Sequence, residues 1–136
     1  MALFLDTGFL IALELSGDNH HKAARSCWNA FLLAPEPLVT TSYVIDETVT
    51  FFNSRGFHAK AVEIGERLLA SRSVTVVHVD EMLFREGWNY FSRHADKRYS
   101  LTDCISFAAM RQKNIKRALA FDKHFDQAGF ERVPSK

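Results

Sequence analysis

Two short apolar runs that each end in an aspartate, ALFLD near the start and RALAFD near the end, constrain this chain most. Both read as buried strands of a parallel sheet, because strands covered on both faces are almost continuously apolar. In open α/β sheets ligands bind outside the carboxyl ends of the strands, which is where Asp6 and Asp122 fall. Two further acids stand in the opening turns of apolar-periodic helices, Glu47 in TTSYVIDETVTFF and Asp103 in YSLTDCISFAAM. Carboxylates gathered in one place repel one another and raise each other's pKa, so a cluster without Lys or Arg between its members suits a hard divalent cation. The sequence points to a Mg²⁺ or Mn²⁺ site.

The rest of the chain alternates strand and helix signals. Residues 2–5 read as the first strand and Thr7 to Leu15 as a helix, closed by Gly17 in the left-handed conformation. Asp18 or Asn19 caps a second helix through Ala34, with Ala23, Ala24, Cys27, Trp28, Phe31 and Leu32 as its apolar face, and Pro35 stops it. Leu38 to Thr40 form a second strand. Thr41 or Ser42 caps the helix bearing Glu47, and Arg55-Gly56-Phe57 separates it from another that reaches about Ser71. Val74 to Val79 is a third, β-branched strand. Asp80 caps a helix with Met82, Leu83, Trp88, Tyr90 and Phe91 as core residues. Ser100 or Thr102 caps the helix bearing Asp103, Arg117 to Phe121 is a fourth strand, and Phe130 to Val133 a short fifth. This order, β-α-α-β-α-α-β-α-α-β-α-β, predicts an α/β fold with a mainly parallel sheet covered on both faces.

At 136 residues, 47% of them apolar, the chain is expected to form a single domain over 1–136 with a substantial core. The opening MALFLDTGFLIAL has no basic leader and is broken by Asp6, which argues against a signal peptide and a membrane span and makes a cytoplasmic location the expectation. Cys27 and Cys104 lack metal or redox spacing and read as packing thiols. A net charge of +1 does not by itself announce a nucleic-acid binder. Locally, Arg93, Lys97 and Arg98 precede Asp103, and Arg111, Lys113, Lys116 and Arg117 follow its helix. Each set is a candidate phosphate holder, with ordinary solvated surface as the alternative for every member.

Elimination narrows the chemistry. A haloacid-dehalogenase-type phosphatase needs a second Asp where this chain has Gly8, a response-regulator receiver needs an adjacent acidic pair after strand one, and no Gly-rich turn before Lys-Ser/Thr makes a P-loop. Metal-dependent phosphodiester hydrolysis remains. FLDTGFLIAL, TTSYVIDETVTFF followed by Arg55-Gly56, SLTDCISFAAM and ALAFDKHFDQAGF then carry, in order, a resemblance to the PIN domain, the fold of the VapC-like toxin ribonucleases.

The resemblance implies a three-layer α/β/α sandwich, a Mg²⁺ or Mn²⁺ centre, and cleavage of single-stranded or loop RNA. Carried over by position, Asp6, Glu47, Asp103 and Asp122 are the catalytic and metal-site acids. Asp6, Asp103 and Asp122 are the foremost ligand candidates, with Glu47 placing the water or a second ion. It also implies a homodimer held in check by a cognate antitoxin. A non-catalytic PIN module and a metal-dependent DNA nuclease are the alternatives. Among neighbours, Thr7 either orients Asp6 or starts a helix, and Asp46 reads as solvated because adjacent helical residues point about 100° apart. Asp126 is a candidate outer carboxylate. None of the six histidines has zinc-hydrolase spacing, and His124 reads as a surface or packing residue, with substrate contact as its alternative.

Overall fold

The computed structural model describes residues 1–135. Five strands form one sheet: β1 (Leu3–Leu5), β2 (Leu38–Thr41), β3 (Val74–Val77), β4 (Arg117–Leu119) and β5 (Glu131–Val133). Their order is β3-β2-β1-β4-β5, with every neighbouring pair parallel. The helices are α1 (Thr7–Glu14), α2 (His21–Leu33), α3 (Ser42–Ser54), α4 (His58–Ala70), α5 (Glu81–Arg93), α6 (Leu101–Gln112) and the single turn α7 (His124–Gln127). The predicted alternation and the parallel α/β sheet are both present.

The strand order places the site. From β1 the chain progresses outward to β2 and β3, then returns to the other side of β1 for β4 and β5. The direction of progression therefore reverses between β1 and β4, and a crevice opens at the carboxyl ends of those two strands. Asp6 follows the first and Asp122 lies just beyond the second. The Thr40 hydroxyl donates to the Leu5 carbonyl at 2.8 Å, fastening the end of β1 immediately before Asp6.

Phe4, Phe9, Phe52, Phe107 and Phe125 are fully buried, so the core draws on β1, α1, α3, α6 and α7 together. Each such ring contributes about 1.5–3 kcal/mol relative to exposure. Helix α6 is buried from Cys104 to Met110 and packs against α5 at Gly87, where an added Cβ would lie 2.5 Å from Ile105 Cγ1 and 3.0 Å from its Cα.

Several local expectations are corrected. Gly17 is not left-handed; α1 ends at an extended Leu15, whose N–H reaches the Ile11 carbonyl at 2.9 Å, and the positive-φ glycines are Gly56 after α3 and Gly129. The cap position of α2 is His20, with Asp18 Oδ1 accepting the His20 N–H at 2.8 Å from two residues upstream. Thr41, Asp80 and Ser100 do cap α3, α5 and α6. Strand β3 stops at Val77. On α5 the stripe facing α6 is Leu83, Gly87 and Tyr90, so Met82, Trp88 and Phe91 are exposed, as is Leu32 on α2. A helix buries one stripe, and apolar residues off that stripe face solvent. No helix among the described residues is long and apolar enough to cross a membrane.

Candidate active site

An open cleft of about 380 Å³ at the carboxyl ends of β1 and β4 is lined by Asp6, Thr7, Gly8, Ile11, Glu47, Phe51, Arg98, Ser100, Asp103, Asp122 and His124. All four acids singled out in the sequence line it, and Asp46 does not. A larger hollow of about 500 Å³ lies elsewhere, between α2 and the starts of β1 and β4, but it holds the paired Glu36 and Arg117 rather than a group of free acids. The four acids gather in the smaller cleft.

Asp6 caps α1, its Oδ2 accepting the Gly8 N–H at 3.4 Å, and only 5% of the residue is exposed. Burial lifts its carboxyl to about 8; the charges of Asp103 and, more weakly, Asp122 add to that, and the N–H groups of Thr7 and Gly8 work against it. Asp103 stands in the first turn of α6 in a capping box: its N–H donates to Ser100 Oγ at 2.9 Å and its Oδ2 accepts the Ser100 N–H at 3.1 Å. Burial raises its pKa and Asp122 pushes the same way, against the Ser100 N–H and His124. Asp122 is more open, and its Oδ1 accepts the backbone N–H of His124 at 2.9 Å. Glu47 projects from the second turn of α3 as an exposed side chain of the cleft wall.

His124, read from the sequence as a surface or packing residue with substrate contact as the alternative, stands in the cleft itself. Its Nδ1 lies 3.0 Å from Asp103 Oδ2 and 3.3 Å from Asp122 Oδ1, and donor atoms of these three residues all fall within 4.8 Å of one another. The turn that starts α7 curls FDKHF back on itself, so the residue two after Asp122 faces the same space. That local turn was the available signal. The Tyr99 ring, buried, meets the imidazole edge-on with centroids 5.2 Å apart.

The remaining candidates separate cleanly. Asp126 leaves the site, since Arg132 Nε donates to its Oδ2 at 2.9 Å. Of the basic residues before Asp103, Arg98 lines the cleft, with a left-handed φ of 60°, whereas Arg93 lines a different hollow beside Tyr90 and Arg111, and Lys97 leans toward Asp96. The second basic set is at the wrong end of the molecule. Arg117 opens β4, pairing with Glu36 at 2.7 Å, and Arg111 packs over Tyr90. Thr7 is not the cap of α1; it is buried, and its hydroxyl has no hydrogen-bond partner among the described residues.

These features fit a hard divalent ion. Three carboxylates interact across a cleft whose only Lys or Arg among the described residues is Arg98, Asp6 is held at an unfavourable pKa that a cation would relieve, and a buried hydroxyl at the wall has no polar partner among those residues.

The sequence profile of the PIN domain matches residues 3–131. The 23S rRNA-specific endonuclease VapC20 of Mycobacterium tuberculosis, from strains CDC 1551 and H37Rv alike, is 39% identical over 131 residues, covering 96% of this chain and 97% of the relative. The crystal structure of M. tuberculosis VapC20, described as a sarcin-ricin loop cleaving toxin, superposes with a TM-score of 0.86 at 38% identity, covering 94% of this chain and 95% of that one.

Proposed function

The chain belongs to the PIN domain family and is an endoribonuclease of the VapC-like toxin type, and from that premise we propose that it cuts RNA with a divalent cation, Mg²⁺ or Mn²⁺, held by Asp6, Asp103 and Asp122. The observation that carries this reading is the convergence of Asp6, Glu47, Asp103 and Asp122 on one cleft, with the buried Asp6 carboxyl facing the charges of Asp103 and Asp122, an arrangement that costs stability unless a cation joins it. When bound, the ion supplies a Lewis acid for the phosphoryl oxygen and an acidified water for attack.

The chain's own residues do the rest. Glu47, on the α3 wall, accepts a proton from the attacking water. Thr7 Oγ1, buried and unpartnered, offers a hydroxyl to a water or phosphate oxygen in the cleft. Arg98, the one Lys or Arg lining the cleft among the described residues, binds a neighbouring backbone phosphate and sets the RNA's register. The Ser100 capping box and the His124 backbone N–H hold the Asp103 and Asp122 carboxylates in place before substrate arrives.

For the substrate we propose a loop of 23S rRNA, the RNA for which the VapC20 relatives are named; 39% identity across nearly the full length of both chains supports it. Regulation by an antitoxin and assembly as a homodimer in the cytoplasm are part of the same reading, as is the working of residues 1–136 as one nuclease domain. A DNA nuclease and a non-catalytic module are the rivals, and one assay separates all three. A stem-loop RNA of the 23S sarcin-ricin type and its DNA counterpart are incubated with Mn²⁺, with and without chelator. Cutting of RNA alone, abolished by chelator, supports the proposal; cutting of DNA, or of neither, overturns it.

A further inference from the structure

Among the described residues, the polar side chain of the cleft that the proposed mechanism leaves without a chemical part is the imidazole of His124. Its position is unusual for a mere packing residue. Nδ1, not the ring's far nitrogen, faces the acids, at 3.0 Å from Asp103 Oδ2 and 3.3 Å from Asp122 Oδ1. A histidine that simply anchored one carboxylate would need one such contact.

The separations have a second meaning. Adjacent ligands in an octahedron with bond lengths of 2.0–2.1 Å lie about 2.8–3.0 Å apart, the bond length times the square root of two. Nδ1 stands at that distance from one carboxylate oxygen and close to it from the other, and the three donor atoms fit within 4.8 Å overall. The ring cannot drift from this position easily. Tyr99 packs edge-on against it, and Phe125, the next residue, is fully buried. The backbone N–H of His124 is itself spent on Asp122 Oδ1 at 2.9 Å, which fixes residue and carboxylate as a unit.

We propose that His124 is a nitrogen ligand of the metal centre, through Nδ1, and that it biases the site toward transition-metal ions over Mg²⁺. This rests on the metal-dependent reading above. Nδ1 and Asp103 Oδ2 share a hydrogen bond at 3.0 Å; a bound cation would take the place of that hydrogen bond, with Nδ1 unprotonated and the ring proton on Nε2. Three carboxylates alone are an oxygen set suited to Mg²⁺, whereas an imidazole adds a borderline-soft donor whose preference rises from Mn²⁺ through Co²⁺. The sequence thereby tunes which ion the cleft holds without altering its acids.

The test uses the full chain with the metals alone. Pulsed EPR of bound Mn²⁺ is recorded on protein made with ¹⁵N-labelled histidine, for wild type, His124→Asn and His124→Asp, alongside titrations of Mg²⁺, Mn²⁺ and Co²⁺. The expected result is ¹⁵N coupling to Mn²⁺ in wild type that vanishes in both variants. Co²⁺ affinity should fall about tenfold or more in His124→Asn, with a smaller change for Mg²⁺. His124→Asp should restore Mg²⁺ binding without nitrogen coupling. Mn²⁺ bound in an Asp103-dependent way but with no ¹⁵N coupling, or coupling that survives His124→Asn, would overturn the assignment while leaving the carboxylate centre standing. No Mn²⁺ binding at all would defeat both.

Discussion

The charge of Asp103, in the first turn of α6, acts on Asp6, at the end of β1, and adds to the burial that lifts the Asp6 carboxyl to about 8. The two residues are far apart in the chain and meet because β1 and α6 converge on one crevice.

A metal-free stability profile follows from that pair. A carboxyl whose folded pKa is raised binds its proton more tightly when folded, so stability falls as pH rises from the unfolded value of about 4 toward about 8, and levels off above. The Asp6 shift corresponds to a penalty of order 5 kcal/mol at alkaline pH. In chelator, wild type should melt lower at pH 8 than at pH 5, and Asp6→Asn should remove most of that slope and melt higher than wild type at pH 8. The same variant should lose cleavage and respond less to Mn²⁺. Melting curves at the two pH values check this, and an unchanged slope in Asp6→Asn would refute it.

Glu47 and Asp46 provide a contrast between neighbours. Both are exposed on α3, but only Glu47 lines the cleft. Glu47→Gln should slow single-turnover cleavage by about 10²-fold or more, the range of a lost general base, whereas Asp46→Asn should stay within a few-fold of wild type. Equal losses would remove Glu47 from its assigned role.

Arg98 and Arg93 make a second contrast. Arg98→Ala should weaken RNA binding and reduce the slope of log affinity against log salt by about 1, the release of one phosphate contact. Arg93→Ala, lining a hollow away from the acids, should change neither. Filter binding across a salt series distinguishes them.

The packing of α5 on α6 positions Asp103 and can be perturbed at a distance. Gly87→Ala drives a Cβ into Ile105, including its backbone, so overpacking of about 1–3 kcal/mol should outweigh the gain of up to about 1 kcal/mol in helix propensity. Ser100→Ala should cost about 1 kcal/mol by removing the cap from Asp103 N–H. Denaturant titration reads both; a stabilised Gly87→Ala would contradict the close approach of these helices.

The order of elements was legible because the inner strands are runs of apolar or β-branched residues and α3, α5 and α6 each begin with a capping side chain, Thr41, Asp80 and Ser100. Asp6, Glu47, Asp103 and Asp122 were legible as acids placed where those elements begin or end. Features set by tertiary packing were not. Met82, Trp88 and Phe91 look like core residues until α6 fixes which stripe of α5 is covered. His124 has no motif of its own; its part depends on the turn at α7 and on the reach of Asp103 from a distant helix. Arg117 and Arg111 are near Asp103 in sequence, but α6 carries them to the far end of the sheet or into packing against Tyr90.

The central claim, that a divalent ion held by Asp6, Asp103 and Asp122 acts on the scissile phosphate, is tested most directly by sulfur substitution. Single-turnover cleavage is measured on a loop RNA carrying sulfur in place of each non-bridging oxygen of the scissile phosphate in turn, in Mg²⁺ and in Mn²⁺. Mg²⁺ avoids sulfur and the softer Mn²⁺ tolerates it. One of the two isomers should therefore be cut poorly in Mg²⁺ and recover in Mn²⁺, and the recovery should be absent in Asp103→Asn. Cleavage of both isomers at the unmodified rate in Mg²⁺, or cleavage that persists in excess chelator, would contradict the account.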